Sequence, residues 1–429
     1  MLDDDRCYDE LPTEYLRNVV KSVLQNEGLD SKLVKITATP ILASLWISSV
    51  FKVKAEDQKK SFHLFIKCLP LDMTRRKQMD SDMFFGNEVM FYNRVVTVFH
   101  KFEMETLPHV QRPFLIAPHC YRAETDGEND VIILEDMTSK GFVVLNRLRV
   151  LGVPELFLVM RKLGRFHGLS LAMKTLDPEG FHEARQCVNE TVYCKYYMDK
   201  IARDVIEYAF EDAIKEAEKH FSEDSPYLVK LQKFSKGVAH RMVAISYGDP
   251  NNEPYNVITH GDMWVSNFMF HYSPSTAINK SPDEMCFIDF QQARYSSPGT
   301  DLGRLLFVST DKSTRDAHRE DLLRCYHDSV SDTVREFGCD PEKVFPFCAV
   351  EQQLKKSAAH FVGNVLTNLP HALQEGEGTD NDLSFDGDGS DELLKPFLLA
   401  YHLKTPECRR RILEVIEDVV EYGYMDCIL

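Results

Sequence analysis

The spacing of apolar residues changes several times along the first third of the chain. They recur every three or four positions over residues 11–26, which predicts a first helix. Residues 34–69 instead carry β-branched and aromatic runs, which predict consecutive strands of an antiparallel sheet. Helical spacing returns over residues 83–102, and apolar runs at 114–116 and 131–134 predict two further strands. The predicted order is therefore helix, strands, helix, strands.

Beyond residue 136 the pattern is predominantly helical. Apolar residues with helical spacing cover residues 154–173, 192–221, 227–245 and 407–422, and a further helix is predicted at 391–403. The acidic, glycine-rich stretch at 374–392 does not place its residues as a calcium loop requires, and we expect a solvated loop there. The predicted fold class is α+β, with a β-rich part at residues 1–136 and a mostly helical part at 137–429.

Composition narrows the class of partner. The chain has 429 residues and a formal net charge of −17, which argues against a nucleic acid or an anionic membrane as the main partner. No run approaches the roughly 18 apolar residues of a membrane span, and the acidic amino terminus lacks the features of a secretory signal. Its 11 cysteines form no C-x-x-C pair, as expected for reduced thiols. We expect a cytoplasmic protein without nucleic-acid or membrane partners, with a monomer as the default oligomeric state.

Polar residues follow two short apolar strands in the middle of the chain. The strand predicted at residues 257–259 leads into a His-Gly-Asp sequence ending at Asp262, and Asn267 follows five residues later. The strand predicted at residues 285–288 ends at Asp289. If the two strands are neighbours, their ends bring two carboxylates and an amide into one cleft.

These residue types suit phosphoryl transfer. That reaction needs a cation on the nucleotide phosphates, Mg²⁺ held by oxygen ligands, and a carboxylate that receives the proton of the attacking hydroxyl. Asp262 is predicted to accept that proton, and Asn267 and Asp289 are predicted to hold Mg²⁺. His260 is expected to brace the loop by hydrogen bonding, because the neighbouring aspartate serves the proton better.

The cation is predicted to be Lys67, which stands inside an apolar strand. An unpaired charge there would cost several kcal/mol, and Glu88 on the following helix is a plausible partner. Taken singly, each of these lysine, glutamate, aspartate and asparagine residues has an ordinary surface or turn role. Their joint occurrence in this order favours a kinase cleft.

Two motifs, HGDMWVSN at 260–267 and FIDFQQARYSSPGTDL at 287–302, resemble the signature of the ecdysteroid kinase-like family, also called CHK-kinase-like. LFIKCLP, GNEVMFYNRV, VIILEDMTSKGF and LGRFHGLSLA support the resemblance. The family belongs with the aminoglycoside and choline phosphotransferases. The resemblance implies a bilobal, protein-kinase-like fold with a small antiparallel-sheet N-lobe at 1–136 and a large helical C-lobe at 137–429.

The resemblance also implies an activity: ATP- and Mg²⁺-dependent phosphorylation of a hydroxyl on a lipophilic small molecule, such as an ecdysteroid or a xenobiotic alcohol. Carried across by position, Asp262 is the catalytic base, Asn267 and Asp289 are the Mg²⁺ ligands, and Lys67 with Glu88 is the phosphate-binding ion pair.

The hinge between the lobes is implied by the same resemblance. The carbonyl of Glu135 and the N–H of Met137 would pair with adenine, whereas Arg294 and Asp301 would hold the C-lobe loop together in a structural role.

One feature departs from the family pattern. No glycine occurs between Gly28 and Gly86, so the loop at residues 37–44 lacks the residue that lets backbone N–H groups approach phosphates. A pseudokinase that binds a lipophilic ligand or a protein partner therefore stays open as an alternative. A phosphotransferase acting on choline or an aminoglycoside is a second alternative. The sequence does not choose between hormone inactivation and detoxication.

Overall fold

The computed structural model describes most of the chain. The described residues are 11–29, 35–41, 48–56, 61–70, 73–78, 81–110, 113–114, 116–192, 201–274, 281–373 and 405–426. The predicted helix at 391–403 and the predicted loop at 374–392 lie outside them, as do residues 42–44 of the glycine-free loop.

A five-stranded antiparallel sheet forms the amino-terminal part, with strand order β1-β2-β3-β5-β4. A helix precedes it along the chain and packs against it. The elements are α1 (Glu14–Asn26), β1 (Lys35–Pro40), β2 (Ser49–Glu56), β3 (Ser61–Cys68), β4 (Cys120–Glu124) and β5 (Val131–Glu135). Thr13 caps α1 by accepting a hydrogen bond from the Leu16 N–H, and apolar residues of α1 join those of the sheet in one buried cluster. The helix and sheet predicted for this part are confirmed.

The helix predicted over residues 83–102 is present but is not uniform. After α2 (Met73–Gln78), the chain forms α3 (Ser81–Met90), a π-helical turn at Phe91–Val96, and α4 (Thr97–Thr106). The π-helical turn begins three residues after Glu88 and widens the helix there.

The strand predicted at 114–116 is wrong. Phe114 and Ile116 are irregular, and Leu115 lies outside the described residues. The Phe114 N–H donates to Glu103 Oε2 at 2.7 Å, and the Ile116 carbonyl accepts from the Phe287 N–H at 3.1 Å, so both make contacts away from the five-stranded sheet. The sheet uses the more polar segment Cys120–Glu124 instead.

Helices dominate after residue 136. A short β6 (Phe142–Val144) is followed by α5 (Val153–Leu176), α6 (Pro178–Gln186), α7 (Ile201–His220), α8 (Pro226–Ser235) and α9 (Val238–Ser246). The helices α8 and α9 replace the single helix predicted over 227–245, because Gly237 between them adopts a φ of 65°.

Four short strands and six more helices complete the described chain: β7 (Val257–Thr259), β8 (Phe268–His271), β9 (Glu284–Phe287), β10 (Arg294–Ser296), α10 (Pro298–Val308), α11 (Lys312–Glu336), α12 (Pro341–Val344), α13 (Phe347–Lys356), α14 (Ala358–Ala372) and α15 (Pro406–Glu421). The α+β class predicted from the sequence is confirmed. In the part of the chain that the structure describes, no helix combines the length and apolarity needed to cross a membrane.

The strands that precede Asp262 and Asp289 belong to different ladders. β7 pairs with β10, whereas β9 pairs with β8 in a three-stranded sheet with β6. Their ends meet nevertheless: Ile288 donates its N–H to the Asn267 carbonyl at 3.0 Å, and its own carbonyl lies 3.0 Å from His260 Nε2.

Candidate active site

Lys67 lies where the five-stranded sheet meets the helical part. Its Nζ donates to Glu88 Oε2 at 2.5 Å and to Asp289 Oδ1 at 2.8 Å. Burial alone would lower the pKa of Lys67, but the carboxylates of Asp289 and Glu88 outweigh it and raise the pKa. One ammonium group thus joins a strand of the sheet, a helix and the segment after β9.

The three members of this cluster differ in exposure. The side chain of Glu88 is 1% exposed, whereas that of Asp289 is 27% exposed. Burial raises the pKa of Glu88 despite the opposing attraction of Lys67. Asp289 is therefore the member that a ligand can reach, and Glu88 serves to orient the lysine.

The backbone of Asp289 has an unusual conformation. Its φ is 69°, and among the described residues it is the single non-glycine residue with a positive φ. Gln291 Nε2 donates to Asp289 Oδ2 at 3.1 Å, and the next ring along the chain, Phe290, stacks on Phe91 with centroids 3.8 Å apart. Strained residues of this kind cluster at functional sites.

The His-Gly-Asp loop after β7 is held through its backbone. Asp301 accepts the N–H of His260 at 2.7 Å and the N–H of Gly261 at 2.9 Å, and its Oδ2 lies 3.3 Å from His167 Nε2. Gly261 has a φ of 85°, and a Cβ there would lie 2.0 Å from the Gln292 carbonyl oxygen, so only glycine fits.

His260 braces this loop. Its Nε2 lies 3.0 Å from the Ile288 carbonyl, and its Nδ1 accepts the N–H of Asp262 at 3.2 Å. Burial lowers the pKa of His260, which favours the neutral imidazole that these contacts require. The hydrogen-bonding role expected from the sequence matches these contacts.

Asp262 is 6% exposed and contacts two side chains. Asn267 Nδ2 donates to the Asp262 backbone carbonyl and to its Oδ2, both at 2.9 Å, and Arg304 forms an ion pair with Oδ1. Because both amide hydrogens of Asn267 point to Asp262, the remaining polar atom of its side chain is the oxygen, Oδ1.

The side-chain oxygens of Asn267 and Asp289 fit a Mg²⁺ ion whose remaining ligands come from a nucleotide. Asn267 Oδ1 and the Asp289 carboxylate are hard oxygen ligands, and Mg²⁺ is commonly held by one or two carboxylates together with substrate phosphates. In the described residues there is no group of three or more His, Cys, Asp or Glu side chains able to hold a metal. A site built from these two residues therefore depends on ligand phosphates to complete the coordination shell.

The predicted hinge follows β5. Glu135 ends that strand, with its N–H donated to the His119 carbonyl at 2.8 Å and its side chain paired with Lys140 at 2.6 Å. Met137 is buried and begins a 3₁₀ turn at Met137–Lys140 that the Asp136 side chain caps. Beside it lies a small separate apolar cluster that comprises Met137, Phe142, Met269 and Cys286, with Ile288 packed against it.

The sequence profile of the ecdysteroid kinase-like family matches residues 43–339, more than half of the chain. The chain belongs to the ecdysteroid kinase-like family. The family resemblance expected from the sequence is thereby confirmed, and the chain is a small-molecule kinase by class.

Two solved structures are similar over nearly the whole chain. An ethanolamine kinase from Plasmodium vivax has 15% identity and a TM-score of 0.40, with 94% of this chain and 93% of that chain covered. A spectinomycin phosphotransferase in complex with ADP and spectinomycin has 13% identity and a TM-score of 0.43, with 94% and 98% covered. No curated protein matches the sequence.

Two residues of this kinase-family site are absent from the sequence-based predictions. Arg304 contacts Asp262, and Asn87 donates to the carbonyls of Gln291 at 3.1 Å and Ala293 at 2.8 Å. Asn87 is adjacent to Glu88 in sequence, which is the single signal that could have drawn attention to it. Arg304 carries no such signal, because its contact depends on how α10 packs.

Proposed function

We propose that this chain transfers the γ-phosphoryl group of ATP to a hydroxyl of a lipophilic acceptor, such as an ecdysteroid or a xenobiotic alcohol. The observation that carries the proposal is the bridge from Lys67 to Glu88 and Asp289. Asp289 lies on the connection between β9 and β10, and Ile288 of the same connection contacts the loop that carries Asp262 and Asn267. The proposed phosphate clamp, metal-binding pair and base are thus linked through direct contacts.

The nucleotide is proposed to lie between the sheet and the helical part. Lys67 would hold the α- and β-phosphates, and Glu88 keeps the ammonium group directed. The Glu135 carbonyl and the Met137 N–H would pair with adenine. The apolar cluster around Met137 supports this placement, because a flat heteroaromatic base needs an apolar surface beside its hydrogen-bonding edge.

Asn267 and Asp289 would hold Mg²⁺. When bound, Mg²⁺ neutralises charge on the β- and γ-phosphates. Lys67 already contacts the Asp289 carboxylate, so this carboxylate is oriented before any ligand arrives.

Asp262 is proposed as the catalytic base. The acceptor oxygen forms a bond to the γ-phosphorus, the bond from that phosphorus to the β–γ bridging oxygen breaks, and ADP leaves with the electron pair. The acceptor proton passes to Asp262. Asn267 and Arg304 hold the carboxylate in place, so catalysis comes from positioning and electrostatics.

The charge around the base supports an uncharged acceptor. The Asp262 carboxylate is already paired with Arg304, which weakens its attraction for a cationic acceptor such as choline. An apolar alcohol needs no such attraction. Its phosphorylation would make it anionic and water-soluble, which serves hormone inactivation and detoxication equally well.

A phosphotransfer screen tests the proposal. The purified chain is incubated with Mg²⁺ and ATP labelled at the γ-phosphate, against an acceptor panel of ecdysteroids, plant phenolics, glycosides and choline. We expect transfer to a lipophilic alcohol, and Asp262→Asn should strongly lower its rate while Mg-ATP binding stays nearly intact. Transfer to choline alone would favour the amine-alcohol alternative. Absence of both transfer and a thermal shift with Mg-ATP would favour the pseudokinase.

A further inference from the structure

Arg304 is a buried arginine directly beside the proposed base. It lies on α10, is 4% exposed, and its Nη2 forms an ion pair with Asp262 Oδ1. Its Nη1 donates to Asn364 Oδ1 on α14 at 2.9 Å. The guanidinium group therefore connects the carboxylate to a helix of the core.

The close approach of α10 and α14 makes this connection possible. A Cβ at Gly303 would lie 2.2 Å from Phe361 Cδ1, so the residue before Arg304 must be glycine for the helices to pack this tightly. Asn364 is itself fixed, because its Nδ2 donates to the His360 carbonyl at 2.9 Å. The acceptor for Arg304 is thus as rigid as the helix that carries it.

A second arginine extends the network. Arg294 Nη2 lies 2.8 Å from His360 Nε2, and its Nη1 donates to the Gln292 carbonyl at 3.2 Å. Burial and the neighbouring Arg294 and Arg304 hold the pKa of His360 well below its ordinary value, so the imidazole can accept this hydrogen bond. The contacts run without a break from the loop after β9 through α14 to Asp262.

We propose that Arg304 is a positioning residue that fixes the orientation of the Asp262 carboxylate for proton acceptance. This inference rests on the proposed function of Asp262 as the base. Asn267 occupies Oδ2 and Arg304 occupies Oδ1, so rotation of the carboxylate about its Cβ–Cγ bond would break one contact or the other. A carboxylate has about four lone-pair sites. Acceptance of a hydroxyl proton is therefore compatible with both contacts.

The planar guanidinium suits this task better than an ammonium group. Arg304 forms the ion pair with Asp262 through Nη2 and donates to Asn364 through Nη1, whereas lysine presents its charge and its donors from a single atom. Lysine would restore the charge at this position and lose the fixed geometry. Arg304→Lys and Arg304→Met together separate the two contributions.

The test measures ADP release from Mg-ATP in the pooled acceptor panel and the Kd for Mg-ATP by calorimetry. A displacement of about 1 Å in a reacting group can cost about 100-fold in rate. We expect Arg304→Met to lower the rate of ADP release by about that factor with an unchanged Kd, and Arg304→Lys to recover part of the loss. Combined with Asp262→Asn, Arg304→Met should cause no further loss, because Arg304 acts through the carboxylate.

Arg315 on α11 provides a matched control. It is 2% exposed, and its Nε donates to Asp418 Oδ2 at 2.5 Å in a cluster with the carboxy-terminal helix α15. Arg315→Met should lower the urea midpoint of unfolding but leave the rate of ADP release per folded molecule unchanged.

Three outcomes would overturn the inference. They are a rate for Arg304→Met equal to that of Arg315→Met, additive losses in the double variant with Asp262→Asn, and a loss confined to the Kd for Mg-ATP. A wild-type chain that binds Mg-ATP and releases no ADP would contradict the proposed function as well. A wild-type chain that is active and indifferent to substitution of Arg304 would contradict this inference alone.

Discussion

Replacement of Lys67 by methionine should destabilise the folded chain and abolish Mg-ATP binding. Methionine keeps the length of the aliphatic stem and removes the ammonium group that contacts Glu88 and Asp289. Asp289 is 27% exposed and can be hydrated, whereas Glu88 is 1% exposed and is left as an unpaired buried carboxylate. Breaking a buried ion pair by removing one partner costs about 3–5 kcal/mol. We expect a loss within that range.

The double variant Lys67→Met/Glu88→Gln locates the source of the loss. Glutamine removes the buried charge and keeps a similar shape, so most of the lost free energy of unfolding should return. Mg-ATP binding should not return, because the phosphates still lack their cation. Stability and ligand binding are thus expected to separate in the double variant.

Urea unfolding and isothermal calorimetry with Mg-ATP provide the two measurements. Lys54→Met on β2 is the matched control, because Lys54 pairs with Glu56 at 2.5 Å but its side chain is 47% exposed. That substitution should leave both measurements unchanged, as expected for a surface ion pair. The reasoning would be refuted if Lys67→Met kept wild-type stability, or if Glu88→Gln restored nothing in the double variant.

Four further outcomes follow from the site. Removal of Mg²⁺ with EDTA should weaken ATP binding in calorimetry, because the Asp289 carboxylate would then face phosphates of like charge; equal binding with EDTA would contradict this. Gly261→Ala should lower the urea midpoint far more than Gly338→Ala, because both glycines have positive φ but Gly338 has nothing within 4 Å of an added Cβ. Burial opposes ionisation of Asp301, yet the hydrogen bonds that it accepts from His167 and from the Gly261 N–H favour the carboxylate, and the pKa of Asp301 is lowered. The stability that this carboxylate contributes is therefore full above its unfolded pKa of about 3.9 and is lost as the pH falls through its lower folded pKa, so Asp301→Asn should flatten the acid limb of a plot of unfolding free energy against pH. Asn87→Leu should leave the Ala293 carbonyl without its side-chain donor and the Asn189 N–H without its acceptor, whereas the Gln291 carbonyl keeps the Thr191 hydroxyl as a donor. We expect a reduced affinity for Mg-ATP in calorimetry, and a lower urea midpoint with unchanged affinity would indicate a general folding defect instead.

The sequence predicted the ends of the Lys67 bridge because each end has a local signal. A lysine within an apolar strand demands a partner, and Asp289 closes an apolar strand of its own. Local patterns also predicted α1, β5 and α5 close to their observed bounds. The division into lobes at residue 136 stays a prediction.

The elements that the sequence did not predict depend on tertiary contacts. β4 is polar and pairs with β5 through an irregular register between Cys120 and Arg122, so neither its composition nor its alternation predicts a strand. The π-turn after Glu88 leaves the apolar spacing almost unchanged, which is why one continuous helix was predicted. Arg304 looks like an ordinary helical arginine until α10 is packed against the loop that carries Asp262.

The helix α10 determines how that loop is held. Asp301 and Arg304 are three positions apart and lie on one face of α10, where the first binds two backbone N–H groups of the loop and the second binds its carboxylate. One helix thus sets both the path of the loop and the direction of the proposed base. The five-stranded sheet reaches the site through Lys67, which contacts Asp289 on the helical side. A movement of that sheet relative to α10 would therefore displace the proposed phosphate-binding lysine and leave the proposed base and its two supports on α10 in place.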